Sequence, residues 1–174
     1  VSMTNIDNDA AGIIVTPLTL TTSENVTTAT YTVVLTSKPA TDAIDYDGIE
    51  GGIIRNTRLL NIVGNNADAI DIGEEALNVV IDSVQAYNVF DKGVSVGQQS
   101  SVIVTNSEFI NCNAGFGIKD SSWAFIDHCI FYGNGTSIAS YEKNAGDAGG
   151  NGVVTNSILS NSYESSFLAD AMST

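Results

Sequence analysis

The feature that most constrains this chain is a polar pair that returns about every 24 residues from residue 44 onward. An apolar segment precedes each pair and another follows it. The pairs are Asn56-Thr57, Asp82-Ser83, Asn106-Ser107, His128-Cys129 and Asn156-Ser157, with separations of 26, 24, 22 and 28 residues by subtraction. Self-similarity at such a period indicates a solenoid, in which each repeat buries its apolar side only by stacking on its neighbours.

A third apolar segment closes each repeat, at residues 69–72, 93–96, 116–118 and 137–139. Three short strands in about 24 residues match one turn of a parallel β-helix. Charged residues make up only 15% of the chain and there are two prolines. Many β-branched residues, with no long run at the helical period, favour strands joined by turns. The sequence therefore predicts an all-β chain with about five stacked turns.

Two sets of side chains are expected to stack along this solenoid. The first set is an apolar core, predicted to contain Ile70, Val94, Ile103, Ile126, Ile130 and Ile158. The second set is an asparagine ladder at one bend, where each amide bonds to the next turn and the backbone adopts left-handed angles. The ladder is predicted to contain Asn61, Asn88, Asn111 and Asn161, with Asn134 at the same place in the repeat.

Residues 1–41 have a different pattern from residues 42–174, and we treat the two ranges as separate domains. Alternating apolar residues within 13–24 and 29–37 predict two strands. Two strands alone bury too little surface to be stable in water. We therefore expect these strands to pair with other copies of the chain or with neighbouring modules, building a filament or an array.

Short sequences in residues 5–42, namely NIDNDAAGIIVTP, LTTSE and TATYTVVLTSKPATD, resemble part of a Calx-beta-like or immunoglobulin-like module of large bacterial surface proteins. The later strands of such a module do not follow. The resemblance implies an N-terminal strand pair derived from a sandwich-like module and an extracellular or cell-surface location.

Residues 44–174 resemble the right-handed parallel β-helix domains of the pectate-lyase-like superfamily of bacterial secreted proteins. The likeness is carried by NADAIDIG, FDKGVSVG, AGFGIKDSS, AFIDHCIFYGN and YEKNAG. It implies a right-handed β-helix. It does not choose a chemistry, because that superfamily contains lyases, hydrolases, adhesins and inert spacers.

The formal net charge of −14 argues against nucleic acid as a partner, because an acidic surface repels phosphate. No segment approaches the roughly 18 apolar residues needed to span a bilayer, so no membrane insertion is expected. The two cysteines, Cys112 and Cys129, occupy different places in the repeat and are predicted to be free thiols.

One polar group of residues suggests catalysis. Asp71, Lys92, Lys119 and Glu142 lie at or near the third strand of successive repeats, so stacking is expected to bring them together. A polysaccharide lyase needs a base beside a uronate carboxylate and a cation that stabilises the resulting enolate. A lysine with a lowered pKa, flanked by Ca²⁺, would meet both needs. Weakly paired charges on a solvated face are the alternative, and no catalytic motif of the superfamily is present.

Two single residues each have two interpretations. His128 is the one histidine, and it is either a general base or a substitute for a ladder asparagine; we favour the ladder. Trp123 opens a strand, where it either stacks on a sugar ring or covers a turn of the core.

Acidic residues cluster at the junction of the two regions and again near the N-terminus. Alternating carboxylates in a glycine-containing loop suit calcium, a hard ion that binds several oxygens, although a plain acidic linker has the same composition. The candidate calcium ligands are Asp42, Asp45, Asp47, Glu50, Asp7 and Asp9.

The sequence favours a structural or adhesive module of a bacterial extracellular protein, possessing N-terminal strands that assemble with neighbours. The alternative is a β-helix that binds or cleaves carbohydrate, as a polysaccharide lyase or a glycoside hydrolase, and glycans are its expected partners.

Overall fold

The structure, a computed structural model, describes residues 42–174 and two earlier strands, β1 (Ile13–Thr16) and β2 (Thr32–Leu35). Its contacts divide the chain into two compact units, Val1–Pro39 and Ala40–Thr174. The candidate sites at Asp7 and Asp9 lie outside the described residues.

The described part of the first unit is a two-stranded antiparallel sheet. β1 and β2 pair with Ile13 opposite Leu35 and Thr16 opposite Thr32. Both strands are built from Ile, Val, Leu and Thr, residue types that favour extended backbone.

The second unit is a right-handed parallel β-helix, which confirms the predicted fold class. Its strands form three parallel sheets, named here S1, S2 and S3. Sheet S1 contains β3 (Ile44–Asp47), β6 (Ile70–Gly73), β9 (Lys92–Val96), β12 (Ala114–Lys119), β15 (Thr136–Tyr141) and β18 (Ser165–Ala169). Sheet S2 contains β4 (Ile53–Arg55), β7 (Val79–Asp82), β10 (Ser101–Thr105), β13 (Trp123–Asp127) and β16 (Asn151–Thr155). Sheet S3 contains β5 (Arg58–Leu60), β8 (Gln85–Tyr87), β11 (Glu108–Ile110), β14 (Ile130–Tyr132) and β17 (Ile158–Ser160).

The chain visits S1, S2 and S3 in that order, and every strand pairs in parallel with the same strand of the next turn. In S1, Ile70 lies between Ile44 and Val94, so equivalent residues stack directly. Five complete turns and a final strand, β18, result. The described residues contain no helix, and therefore none that could cross a membrane.

Left-handed backbone angles make the corners of the solenoid. The corner between S2 and S3 places Asn56, Ser83, Asn106, His128 and Asn156 at φ values between 48° and 57°. Asparagine tolerates this region because its short amide can bond locally. The register shows that Ser83, and not Asp82, is equivalent to Asn56, since Asp82 pairs with Arg55 at the end of the strand. The sequence alignment of this turn was wrong by one residue, because Asp-Ser and Asn-Thr are equally polar.

The core is a set of inward-facing columns, one from each position that points into the solenoid. Phe109 stacks on Phe131 with ring centroids 5.1 Å apart, and it meets Phe116 edge to face at 6.1 Å. Both cysteines are free and buried among these columns, as predicted. The largest fully buried side chains include Ile70, Ile72, Ile81, Val94, Ile118, Ile126 and Ile138.

Half of the predicted core is wrong. Ile70, Val94 and Ile126 are buried, but Ile103 is 41% exposed, Ile130 37% and Ile158 59%. Successive strand residues point to opposite faces, and in β10 it is Val102 and Val104 that face inward. Several strands carry apolar residues on both faces, so apolar character did not reveal which face was inside.

Candidate functional site

The outer face of sheet S1 carries the polar residues that suggested catalysis. At the central outward position, Asp45, Asp71, Ser95, Gly117 and Ala139 stack in successive turns. The column changes from carboxylates to small residues, and the small residues leave room for long side chains from neighbouring positions. Lys92 and Lys119 occupy that room.

Lys119 lies along the sheet toward earlier turns. Its Nζ donates a hydrogen bond to Ser95 Oγ at 2.7 Å, and its Cε lies 3.2 Å from where a Cβ on Gly97 would be. A larger residue at position 97 would therefore crowd the lysine. Lys119 is 5% exposed and Ser95 is fully buried. Burial lowers the pKa of Lys119 because it disfavours the charged ammonium, although nearby Asp71 acts in the opposite direction.

Lys92 is held by carboxylates. Its Nζ lies 2.7 Å from Asp91 Oδ2 and 3.4 Å from Asp68 Oδ1. Burial lowers the pKa of Lys92, but Asp68 and Asp91 outweigh that effect and the net direction is upward. A lysine with a raised pKa is protonated at neutral pH, so Lys92 is a cation and not a base. Of the two lysines, only Lys119 has the pKa direction that a general base requires.

Three carboxylates meet at the N-terminal end of this face. Asp42, Asp68 and Asp71 each offer an oxygen, and these oxygens all lie within 4.8 Å of one another. Asp42 Oδ1 accepts the backbone N–H of Asp68 at 2.7 Å, and Asp68 Oδ1 accepts that of Lys92 at 2.8 Å. Burial raises the pKa of Asp68 to about 6, with Lys92 opposing and Asp91 adding to the rise. Oxygen ligands at this spacing are of the kind that a hard cation prefers.

Among the described residues, the other predicted calcium ligands Asp45, Asp47 and Glu50 do not join this cluster. Asp45 is exposed one turn before Asp71. Its pKa is raised, mainly by partial desolvation and secondly by repulsion from Asp47. Glu50 instead accepts a hydrogen bond from Asn78 Nδ2 at 2.6 Å. Asp68 was absent from the sequence candidates, although its place one turn after Asp42 was available from the repeat.

The side chain of Glu142 bonds within its own loop and not to Lys92 or Lys119. Its Oε1 accepts the backbone N–H of Gly146 at 2.6 Å, so its side chain closes its own loop. Asp120, which the sequence analysis did not single out, anchors the same loop. Its Oδ1 accepts the backbone N–H groups of Lys143 and Asn144 at 2.7 and 2.8 Å.

His128 lies at the corner between S2 and S3, whereas the lysines lie on S1. Its side chain is 61% exposed, and Nδ1 lies 2.7 Å from Asp127 Oδ2. Asp127 also accepts hydrogen bonds from Thr155 and Asn156, and these bonds lower the pKa of Asp127 to about 2. His128 thus occupies a corner position used elsewhere by asparagine and serine, and it bonds its own neighbour.

The asparagine ladder occupies the corner that follows S3. Asn88 Nδ2 donates to Asn61 Oδ1 at 3.0 Å, and Asn111 Nδ2 donates to Asn88 Oδ1 at 3.3 Å. The next turn has Gly133 at this position, so the ladder ends at Asn111 and Asn161 lies beyond the gap. Asn134 is one residue further on and faces inward, where it bonds Cys112 N and Phe109 O.

The outer face of sheet S2 carries a stacked series of apolar side chains, which we call the outer apolar column. Its members are Ile53, Val80, Ile103, Phe125 and Val153. Trp123 lies beside it, 41% exposed, with its ring 6.4 Å from that of Phe125 and only 10° from parallel.

Comparison with known proteins supports the fold and leaves the chemistry open. No curated protein and no solved structure matches the chain. The family model described as "Right handed beta helix region" matches residues 2–171. That match does not extend to the finer resemblances, to the pectate-lyase-like superfamily or to a Calx-beta-like module. It covers nearly the whole sequence, and the chain therefore belongs to the right-handed β-helix family.

Proposed function

We propose that this chain is a structural or adhesive module of a bacterial extracellular protein. The observation that carries the proposal is the outer apolar column, which runs through all five strands of S2 on the solvent side. Ile53 is 57% exposed and Val153 46%. Val80 and Phe125 between them are half-buried. A series of exposed apolar side chains of this kind marks an interaction site.

The architecture suits such a role. The core runs without interruption through the turns, so the solenoid presents a straight row of equivalent positions on each outer face. A row with a fixed spacing can pack against a similar row on a neighbouring molecule. The net charge of −14 keeps the remaining surface soluble.

Light scattering on the full chain, over a range of concentrations, tests the proposal. We expect assembly, and we expect Ile103→Ser combined with Val153→Ser to weaken it. Val63→Ser is the matched control, because Val63 is also exposed but lies outside the outer apolar column. A full chain that stays monomeric at the highest concentration contradicts the assembly role.

The N-terminal strands are the second proposed contact. Two strands need partners for their backbone groups and their apolar faces. Deleting residues 1–41 distinguishes the two contacts. If the truncated chain no longer assembles, the N-terminal strands make the contact. If it still assembles, the solenoid makes the contact.

Calcium belongs to the same proposal, at the cluster of Asp42, Asp68 and Asp71. These side chains supply carboxylate oxygens, and a cation would relieve their mutual repulsion. Isothermal titration of the full chain with CaCl₂ tests this expectation. Heat that is absent in Asp68→Asn supports it, and equal heat in both proteins rules the cluster out.

A second candidate function is polysaccharide cleavage, which one observation favours: the lowered pKa of Lys119 beside Asp71 on the face of S1. The burial of Lys119 and Ser95 opposes it, since a base must reach its substrate. We expect no unsaturated product from pectate, alginate or chondroitin. Product that disappears in Lys119→Ala, but persists in Lys143→Ala, would establish a lyase.

A further inference from the structure

A cavity of about 410 Å³ lies at the corner that follows sheet S3. It is lined by Val89, Phe90, Asn111, Cys112, Asn113 and Tyr163. Its size falls within the range of small-molecule sites. The contacts described for the outer apolar column and for the S1 face do not involve these residues.

Two aromatic rings bound the cavity, and their placement follows from the stacking of the turns. The backbone N–H groups of Phe90, Asn113, Gly135 and Tyr163 each donate to a carbonyl of the preceding turn, at 2.8, 3.2, 3.0 and 3.1 Å. These four residues therefore form one column. Phe90 and Tyr163 are three turns apart, a backbone separation of roughly 14 Å at normal strand spacing. Only an asparagine and a glycine lie between them.

Both rings are exposed to solvent. Phe90 is 58% exposed and Tyr163 is 69% exposed. The Oη of Tyr163 lies 3.3 Å from where a Cβ on Gly135 would be, so its side chain reaches back along the column toward Asn113. Neither ring is needed to fill the core, and both turn apolar surface toward the cavity.

Two asparagine side chains give the cavity polar lining beside the buried Val89 and Cys112. Asn111 donates its amide to Asn88, which sets the orientation of its side chain. Gly133 follows in the next turn and has no amide to offer, so the ladder gives Asn111 Oδ1 no donor. Asn113 is exposed beside it. An amide supplies both donors and acceptors, which matches the hydroxyl groups of a sugar.

From this geometry we infer that the corner cavity binds a neutral oligosaccharide. The apolar faces of the sugar rings stack on Phe90 and Tyr163, and their hydroxyl groups bond to Asn111 and Asn113. The net charge of −14 repels uronates and sulfated sugars. This inference rests on the proposed adhesive function, because it names the ligand to which the module would adhere.

The test titrates the ¹⁵N-labelled full chain with cellotetraose, mannotetraose and maltotetraose, and with tetragalacturonate as the charged probe. We expect at least one neutral probe to shift the side-chain amide signals of Asn111 and Asn113. Phe90→Ala and Tyr163→Ala are each expected to weaken binding about tenfold. Leu77→Ala, which removes an exposed apolar side chain between sheets S1 and S2, is the matched control and should bind normally.

Thermal unfolding verifies that each variant is folded, and replacing these exposed rings should leave the transition unchanged. The inference is overturned if none of the neutral probes binds at millimolar concentration. It is also overturned if binding survives both ring substitutions, or if tetragalacturonate binds as tightly as the neutral probes. Light scattering reports assembly independently, so failure here leaves the structural role standing.

Discussion

At the scale of single residues, the pKa of an aspartate moves in opposite directions in two environments of this solenoid. Asp127, on the outer surface, accepts several hydrogen bonds and its pKa is lowered to about 2. Asp68 is largely buried beside other carboxylates, and its pKa is raised to about 6. Hydrogen bonds from Thr155 and Asn156 favour the charged form of Asp127, whereas burial disfavours the charged form of Asp68.

Asp68 is expected to make stability depend on pH. Its folded pKa lies above the unfolded value, so its contribution is fully present below about pH 4 and is lost as the pH rises through about 6. Between these values the protein should lose on the order of 3 kcal/mol from this group. Asp68→Asn, which keeps a side-chain acceptor for Lys92 N–H, should flatten the dependence.

Urea unfolding of the full chain and of Asp68→Asn at several pH values measures how the free energy of unfolding depends on pH. Asp127 has a lowered pKa, so its own contribution is lost only as the pH falls toward about 2. It therefore does not mask the effect. A profile that is identical in both proteins would show that Asp68 is ionised and satisfied.

A second residue-scale prediction compares an inward-facing with an outward-facing strand position. Ile126 is fully buried and Ile158 is 59% exposed. Ile126→Ala should lower the free energy of unfolding by about 2–5 kcal/mol, because it leaves a cavity. Ile158→Ala should change it by less than about 1 kcal/mol. Equal losses in denaturant unfolding would contradict the assigned strand orientation.

At the scale of elements, corners decide how one strand leads into the next. Each corner position after S3 is left-handed, and four of five are asparagine. The ladder adds hydrogen bonds between turns only where asparagines are adjacent. Asn88 has two ladder bonds, whereas Asn161 is separated from the others by Gly133.

This difference gives a matched pair of substitutions. Asn88→Ala should cost about 1–2 kcal/mol, since it removes ladder bonds as well as the left-handed preference. Asn161→Ala should cost less, because it removes the backbone preference without a ladder bond. Thermal unfolding ranks the two variants, and a larger loss at Asn161 would mean that the ladder contributes no stability.

At the scale of the whole molecule, stability should be graded along the solenoid. Inward residues of the central turns, such as Val94 and Phe116, are fully buried. Those of the terminal turns, including Leu59, Val154 and Leu159, are only partly buried, and Phe167 is 53% exposed. A solenoid turn depends on its two neighbours, and the terminal turns of the described solenoid each have only one.

Hydrogen exchange is expected to be slowest in β9 and β12 and fastest in β4, β5 and β17. The reason is that terminal turns open without exposing the central core. Mass spectrometry of the full chain resolves these strands. Uniform protection from β4 to β17 would show that the terminal turns are covered by other contacts or that the solenoid opens only as a whole.

The sequence by itself determined the repeat, the number of strands per turn and most of the corner positions, with Ser83 and Gly133 each missed by one residue. These features are local: a short apolar segment favours a strand, and an asparagine favours a left-handed turn wherever it occurs. The positions of Asn61, Asn88 and Asn111 were therefore available from spacing alone.

The tertiary structure decided which face of each strand is inside and which distant side chains meet. Ile103 and Val104 are equally apolar, and only the closure of the solenoid buries the second and exposes the first. Asp68 joins Asp42 because parallel register places them one turn apart. The cavity between Phe90 and Tyr163 depends on the two turns stacked between them, which contribute Asn113 and Gly135. Distances across turns are set by strand pairing and packing, and no local sequence pattern contains them.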